Sequence, residues 1–325
     1  MKVKLVLGID TSCYTTSVAA VDLENNLIGE HRQLLKVPAG ERGLQQSQAV
    51  FQHIQNLPEA ISKLLTQLPE AGIAAVAAST RPRPWEGSYM PVFIVSGSQG
   101  RILAQILRVP FWESSHQEGH LLAGLWSCGK KIPDQFLAVH LSGGTSEILR
   151  VTYLSTSAQL ELEILGGTKD LHAGQFIDRI GVQMGLAFPA GPSLEKLAQS
   201  AKGKEVRIPS SVDGSDFSFS GSETHARRLL EQGTPAQEVA RAVEICIAKT
   251  LEKALRHAME NTGLKEILLV GGVAANRFLR ERLCHRLEHR AVGASLSFAN
   301  PKYSTDNAVG IALAGVLAWK KGLLS

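Results

Sequence analysis

One plan occurs twice in this chain, and it limits the fold more than any other feature. Residues 3–10, VKLVLGID, form an apolar run of strand type. A polar turn, Thr11-Ser12-Cys13-Tyr14-Thr15-Thr16, follows, SVAAVDL then reads as a second strand, and Glu24-Asn25-Asn26 turns into a third. Residues 136–154 repeat the plan: FLAVHL, then Ser142-Gly143-Gly144-Thr145-Ser146, then EILRVTYL. Two copies of one strand–turn–strand unit, separated by helical sequence, predict a duplicated α/β fold. Small residues in both turns let backbone N–H groups approach an anion, although Gly and Ser in a hairpin need no ligand.

A chain of 325 residues is long enough for two lobes with sizeable cores. The loop Cys128–Asp134 is the expected boundary, giving residues 1–133 plus the C-terminal helix 307–325 as one lobe and 134–306 as the other. Apolar content of 44% with 20% charged residues describes a soluble globular protein. The N-terminus enters a strand rather than a leader, and no apolar run is long enough to span a bilayer. Cys13, Cys128, Cys246 and Cys284 are scattered without a CxxC, which fits a reducing cytoplasm and no disulfide framework. A net charge of +4 permits an RNA partner without requiring one.

The densest chemistry lies in Ser114-Ser115-His116-Gln117-Glu118-Gly119-His120. The two imidazoles are four residues apart and share one helical face, with the serines as N-cap candidates. Such a pair can hold one metal ion if a third ligand arrives from elsewhere; the same spacing also occurs between ordinary histidines. A zinc protease helix reads H-E-x-x-H. Here Gln117 holds the place of the general base and Glu118 comes one residue late, about 100° away around the helix, which argues against that mechanism. Asp306, in Ser304-Thr305-Asp306-Asn307, precedes the C-terminal helix 308–320. It is a candidate N-cap and a candidate third ligand.

Elsewhere, residues 45–68 read as one or two helices with Pro58 near the junction, and His53 reads as a structural or surface histidine. Residues 73–78, IAAVAA, look like a buried strand leading into Thr80-Arg81-Pro82-Arg83-Pro84-Trp85-Glu86-Gly87. That stiff loop with two cations could contact phosphate or RNA, or be a solvated connector. Residues 235–260 form a long amphipathic helix ended by Gly263. The strand 267–270 passes into Gly271-Gly272 and then a helix, a turn that lets backbone approach a flat ring or a phosphate. The arginines at 277, 280, 282, 286 and 290 read as a solvated charged face.

Several words of this sequence, taken together, resemble the TsaD-type tRNA N6-adenosine threonylcarbamoyltransferases, also called glycoprotease-like. They are G-I-D-T-S-C at 8–13, H-Q-E-G-H-L-L-A at 116–123, L-S-G-G-T at 141–145, A-G-P-S-L-E-K-L-A at 190–198, F-S-F-S-G at 217–221, G-G-V-A-A-N at 271–276 and T-D-N at 305–307. They stand in the family's order and cover nearly the whole chain. The resemblance implies a duplicated actin-like, sugar-kinase-like ATPase (ASKHA) fold with two lobes and a central cleft. It implies His116, His120 and Asp306 as ligands of one divalent metal, iron or zinc. It implies His140, Leu141, Ser142, Gly143 and Gly144 as a loop beside phosphate and metal, and Asp178, Gly191, Glu195 and Asn276 as holders of the adenosine part of an adenylate. The expected partners are tRNA and small helper proteins, one of them possibly a paralogue, with no membrane.

The chain also departs from the family. The usual T-S-C-D-E-T reads Thr11-Ser12-Cys13-Tyr14-Thr15-Thr16, so two acids at the catalytic turn are replaced by Tyr14 and Thr15. The usual T-R-G-P-G reads Thr80-Arg81-Pro82-Arg83-Pro84, a doubled Asp reads Asp170-Leu171, and a usual Lys is Glu223. No catalytic base is thereby named. Two readings follow for activity: a threonylcarbamoyl transferase acting on tRNA, or a degenerate nucleotide- and metal-binding paralogue that serves as partner or regulator. A metalloprotease is disfavoured by Gln117.

Overall fold

The computed structural model describes residues 3–12, 14–37, 44–203 and 206–324; Cys13 lies outside them. The chain divides into two compact units. The first is Met1–Asp134 with Thr152–Glu161 and Thr305–Ser325, and the second is Gln135–Val151 with Leu162–Ser304.

The first unit contains β1 (Val3–Ser12), β2 (Thr15–Asp22), β3 (Leu27–Leu34), α1 (Gln46–Leu65), β4 (Ala71–Arg81), α2 (Val92–Leu107), β5 (Phe111–Ser115) and α3 (His116–Ser127). Its sheet runs β3-β2-β1-β4-β5. The first three strands pair antiparallel, and β4 and β5 join in parallel. β1 is buried from Leu5 to Ser12 because strands flank it on both sides and helices cover it, so its sequence is a continuous apolar run rather than an alternation. α1 is one helix through Pro58, and it buries Ala49, His53, Leu57, Ala60 and Leu64 as a stripe at helical spacing.

The strands and helices of the rest are β6 (Gln135–Leu141), β7 (Ser146–Leu154), β8 (Gln159–Gly167), α4 (Ala173–Gln183), α5 (Gly191–Ala198), β9 (Ser211–Asp213), β10 (Asp216–Ser218), α6 (Ser220–Glu231), α7 (Ala236–Thr262), β11 (Glu266–Val270), α8 (Arg277–Leu287) and β12 (Ser295–Phe298), and α9 (Val309–Lys320) completes the first unit. The second sheet, read from β8, is β8-β7-β6-β11-β12. That order matches the first sheet strand for strand, with β6, β11 and β12 parallel. The duplication read from two turns therefore extends over five strands in each copy. β5 and β12 are short and close each sheet at one edge.

Arg277 is exposed as a solvated charged face would have it, but two arginines of α8 do more. Arg280 donates to the carbonyls of Ala274 (2.7 Å) and Ala299 (2.8 Å) and lies over the Phe298 ring. Arg286 pairs with Glu252 (2.8 Å). These two side chains fasten α8 to its neighbours, because a long arginine can lay its stem on apolar surface while its guanidinium takes carbonyl or carboxylate partners.

α9 crosses α3 at a point where two glycines meet. A Cβ on Gly310 would lie 1.8 Å from the Gly119 carbonyl oxygen, and one on Gly119 would lie 2.8 Å from Ile311 Cδ1. No other residue permits that backbone approach. Gly310→Ala is expected to destabilise the protein by about 1–3 kcal/mol or more, the range for overpacking a filled core. Urea denaturation measures this; an unchanged midpoint would show that the crossing has slack.

Candidate functional site

α3 starts where it does because Ser115 and Glu118 form a capping box. Ser115 Oγ accepts from Glu118 N (3.2 Å), and Glu118 Oε2 accepts from Ser115 N (2.8 Å). Glu118 also takes the Ser115 hydroxyl (2.8 Å) and the Leu160 N–H (3.2 Å), so it is a buried structural acid rather than a base at the histidines. The cap puts His116 at the first helical position and His120 one turn on, with both rings on one side.

Asp306 meets them there. His116 Nε2 and His120 Nε2 are 3.1 Å apart, and Asp306 Oδ1 lies 3.5 Å and 3.4 Å from them respectively. The expected N-cap role falls to other residues. Asn307 Oδ1 accepts from Val309 N (3.1 Å) at the start of α9, and Ala308 N donates to Ser17 Oγ (2.8 Å). Asp306 is thereby left to face the histidines. Three donors each roughly 2.0–2.2 Å from one ion in a tetrahedral arrangement are about 3.3–3.6 Å apart; the two spacings to Asp306 fall in that range and the one between the histidines is slightly shorter, so the three atoms converge closely enough for a single divalent cation. Two imidazoles and a carboxylate suit iron or zinc.

Asp10 was not read as a site residue from sequence, and it proves central. Fully buried at the end of β1, it accepts from His116 Nδ1–H at 3.1 Å. That bond fixes the tautomer that turns Nε2 toward Asp306 and His120, the usual arrangement behind a metal-bound histidine. An acid closing an apolar strand, directly before a polar turn, was the available signal. Burial disfavours the His116 cation, but Asp10 and Asp306 outweigh it and hold its pKa well above 6.5. Burial likewise opposes the Asp306 carboxylate, and His116 and His120 outweigh it, holding Asp306 well below 3.8.

The turn after β1 carries the replaced acids. Thr15 and Thr16 are buried in β2, and Tyr14 is exposed. His53 is the structural histidine expected: it is buried and shares a 2.8 Å hydrogen bond with Thr16, and burial lowers its pKa to about 4.

In the second unit, His140 and Leu141 are the last two residues of β6, and Ser142–Gly144 form the exposed turn beyond it. Ser142 Oγ accepts from Gly144 N (3.2 Å) and Thr145 N (3.0 Å), which shapes that turn. The turn after β11 touches it: a Cβ on Gly271, whose φ is +95°, would lie 2.2 Å from Leu141 O. Asp178 on α4 accepts from Ala190 N (2.7 Å), just before Gly191 opens α5. Glu195 on α5 accepts from Arg277 N (2.8 Å), next to Asn276. The predicted residues thus form one linked neighbourhood at the carboxyl ends of β6 and β11.

Sequence reading missed Glu244. This buried acid on α7 accepts from Asn276 Nδ2 (2.7 Å) and Arg241 Nη1 (2.6 Å), beside a cavity of about 230 Å³ also lined by Glu195, Arg277 and Phe278. Burial raises its pKa to about 7, against the pull of Asn276 and Arg241. An acid among the apolar residues of α7 was its only trace in the sequence.

Several solved structures share this architecture. The activator of the 2-hydroxyisocaproyl-CoA dehydratase from Clostridium difficile, with bound ADPNP, is 12% identical over 98% of this chain and 97% of that one, with a TM-score of 0.54. T. kodakarensis HypF is 13% identical over 98% of this chain and 48% of that one, with a TM-score of 0.62. A ROK family glucokinase from Streptomyces griseus, in complex with glucose and AMPPNP, is 12% identical over 95% and 98%, with a TM-score of 0.51. The fold is therefore the duplicated α/β fold of the actin-like and sugar-kinase-like ATPases. Within it, residues 36–313 match the TsaD family, described as tRNA N6-adenosine threonylcarbamoyltransferase, and the chain belongs to that family.

The titrations give two expected outcomes. His116 is raised in the folded protein, so in the metal-free state its contribution to stability is complete below pH 6.5, holds down to the carboxylate range, and is lost as pH rises through the raised value. A metal must displace that proton. Affinity for a divalent ion should therefore climb with pH above 6.5, with one ion per chain and none in His116→Ala, as read by competition titration; a pH-independent affinity would contradict the cluster. Glu244 is raised from 4.5 to about 7, so stability should fall as pH rises across that interval. Denaturation against pH in wild type and Glu244→Gln measures it, and the variant should lose that part of the slope.

Proposed function

We propose that this protein transfers a threonylcarbamoyl group from its adenylate to N6 of an adenosine next to the tRNA anticodon. The observation that carries the reading is the convergence of His116, His120 and Asp306, braced by Asp10, in a member of this family. The three side chains would hold one divalent ion, iron or zinc. When bound, such an ion supplies Lewis-acid polarisation and a template for phosphate or carbonyl oxygens. Asp10 keeps His116 in the tautomer that can ligate.

The second unit would seat the adenylate. Asp178 and Glu195 would accept from ribose hydroxyls, and the open space at Gly143, Gly144 and Gly191 supports this reading. Nucleotide analogues in two of the structures of similar fold, ADPNP and AMPPNP, support a nucleotide seat. Rate would come mainly from positioning donor and acceptor together. tRNA is the acceptor, and small helper proteins, one possibly a paralogue, are the expected partners in the cytoplasm. Among the described residues, no helix is long and apolar enough to cross a membrane.

A second reading has its own observation. The turn between β1 and β2 presents Tyr14 to solvent and buries Thr15 and Thr16, and none of these is a carboxylate. Removing a proton from the acceptor amine needs a base, so the transferase reading assigns that role to water or the departing phosphate. The second reading makes the chain a nucleotide- and metal-binding partner of an active homologue.

One assay separates them. Purified protein is given synthetic threonylcarbamoyl-adenylate, unmodified tRNA and the host's helper proteins, with and without chelator. The transferase reading expects modified adenosine, abolished by chelator and in His116→Ala, and reduced about 10–100-fold in Asp10→Asn. Tight adenylate binding without product would establish the partner reading instead.

A further inference from the structure

We propose that the segment Arg81–Tyr89, together with Tyr14, is a platform on which unpaired bases of an RNA substrate stack beside the His116–His120–Asp306 cluster. The inference rests on the tRNA reading above and adds the surface that would meet the RNA. The segment lies at the carboxyl end of β4, between the parallel neighbours β1 and β5. β1 delivers Asp10 and then the Tyr14 turn at that same sheet edge, and β5 delivers Ser115 and His116.

The segment is also fastened to the cluster at both ends. Pro82 O accepts from Gln117 N (3.0 Å), one residue beyond His116. Just past the other end, at the start of α2, Val92 O accepts from Thr11 Oγ1 (2.8 Å), and the Phe93 ring packs on the His116 ring with centroids 5.7 Å apart. Between these anchors, Pro82 and Pro84 fix their own φ angles. Arg83 N donates to Ser88 Oγ (3.0 Å), and Ser88 N donates to Trp85 O (3.1 Å).

Its side chains suit unpaired nucleotides. The Arg83 guanidinium lies over the Trp85 ring, 4.9 Å from the centroid, which offers flat stacking surface with positive charge. Tyr89 is 68% exposed and Tyr14 44% exposed. The chain has only four tyrosines, and the two strongly exposed ones both stand at this edge, so the exposure is concentrated rather than scattered. Arg81 approaches Glu113 (4.0 Å), which Arg101 also engages, so one carboxylate serves two cations. Cations interleaved with aromatic faces are how proteins hold single-stranded nucleic acid, because every base has a face to stack. Paired bases keep their faces inside the helix, so the platform favours a loop over a duplex.

The test is fluorescence anisotropy of the full chain with a labelled anticodon stem-loop RNA and a blunt RNA duplex, across a salt series. Wild type should bind the stem-loop more tightly than the duplex. Trp85→Ala and Tyr89→Ala should each weaken stem-loop binding on the order of ten-fold. Tyr89 stands in solvent, so its variant keeps the test valid even if Trp85→Ala unfolds. Arg83→Lys keeps the charge and loses the planar face, and should weaken binding with an unchanged salt slope. Stem-loop binding that is unaltered in Tyr89→Ala and Arg83→Lys, or equal binding of the duplex, would overturn the platform and leave the transferase reading standing. No RNA binding by wild type would overturn the transferase reading itself, and the platform with it.

Discussion

The crossing of α3 and α9 at Gly119 and Gly310 is the contact on which the candidate centre depends. Asp306 is far from the histidines in sequence, and its position is set by the helix that follows it. That helix is apolar nearly all round and buried along most of its length, so its place is fixed by packing on the sheet and on α3. Because glycine backbones touch there, the residues just before α9 arrive at the side of α3 that carries His116 and His120. Asn307 and Ser17 satisfy the start of α9, which leaves the Asp306 carboxylate for the imidazoles.

The electrostatics depend on the same packing. Asp10, Asp306, His116 and His120 sit together with little water. In such a place charges are costly alone and stable only in company. Two carboxylates raise the His116 pKa, and the imidazoles in turn lower Asp306, so the metal-free cluster holds itself together as an ion-paired group. A divalent ion would replace the shared protons by one fixed charge. The partly buried cluster thus brings together the charges that a cation would meet.

Much of this was legible in the sequence. The repeated strand–turn–strand foretold the duplication, the serines before the helix foretold its start, and HxxxH foretold a shared face. Asp306 was legible only as a choice between cap and ligand, because a residue before a helix can serve either purpose; the structure shows it facing the imidazoles, with other residues at the helix start. Asp10 and Glu244 stayed hidden for one reason: each is an acid next to apolar residues, one at the end of a strand and one within a helix, and only the three-dimensional neighbours show what it bonds. The α8 arginines misled in the opposite sense, since a row of charges on a helix reads as solvated until the carbonyls of Ala274 and Ala299 are seen beneath one of them. The short strands β5 and β12 carry too few residues for a periodic signal.

The central claim is that His116, His120 and Asp306 form a metal centre. X-ray absorption at the metal edge, on protein loaded with zinc or ferrous iron, tests it most directly. The account predicts two imidazole shells and an oxygen ligand at roughly 2.0–2.2 Å, with the imidazole signal lost in a His116→Ala, His120→Ala double variant. A spectrum of oxygen ligands alone, or one unchanged in that variant, would contradict it.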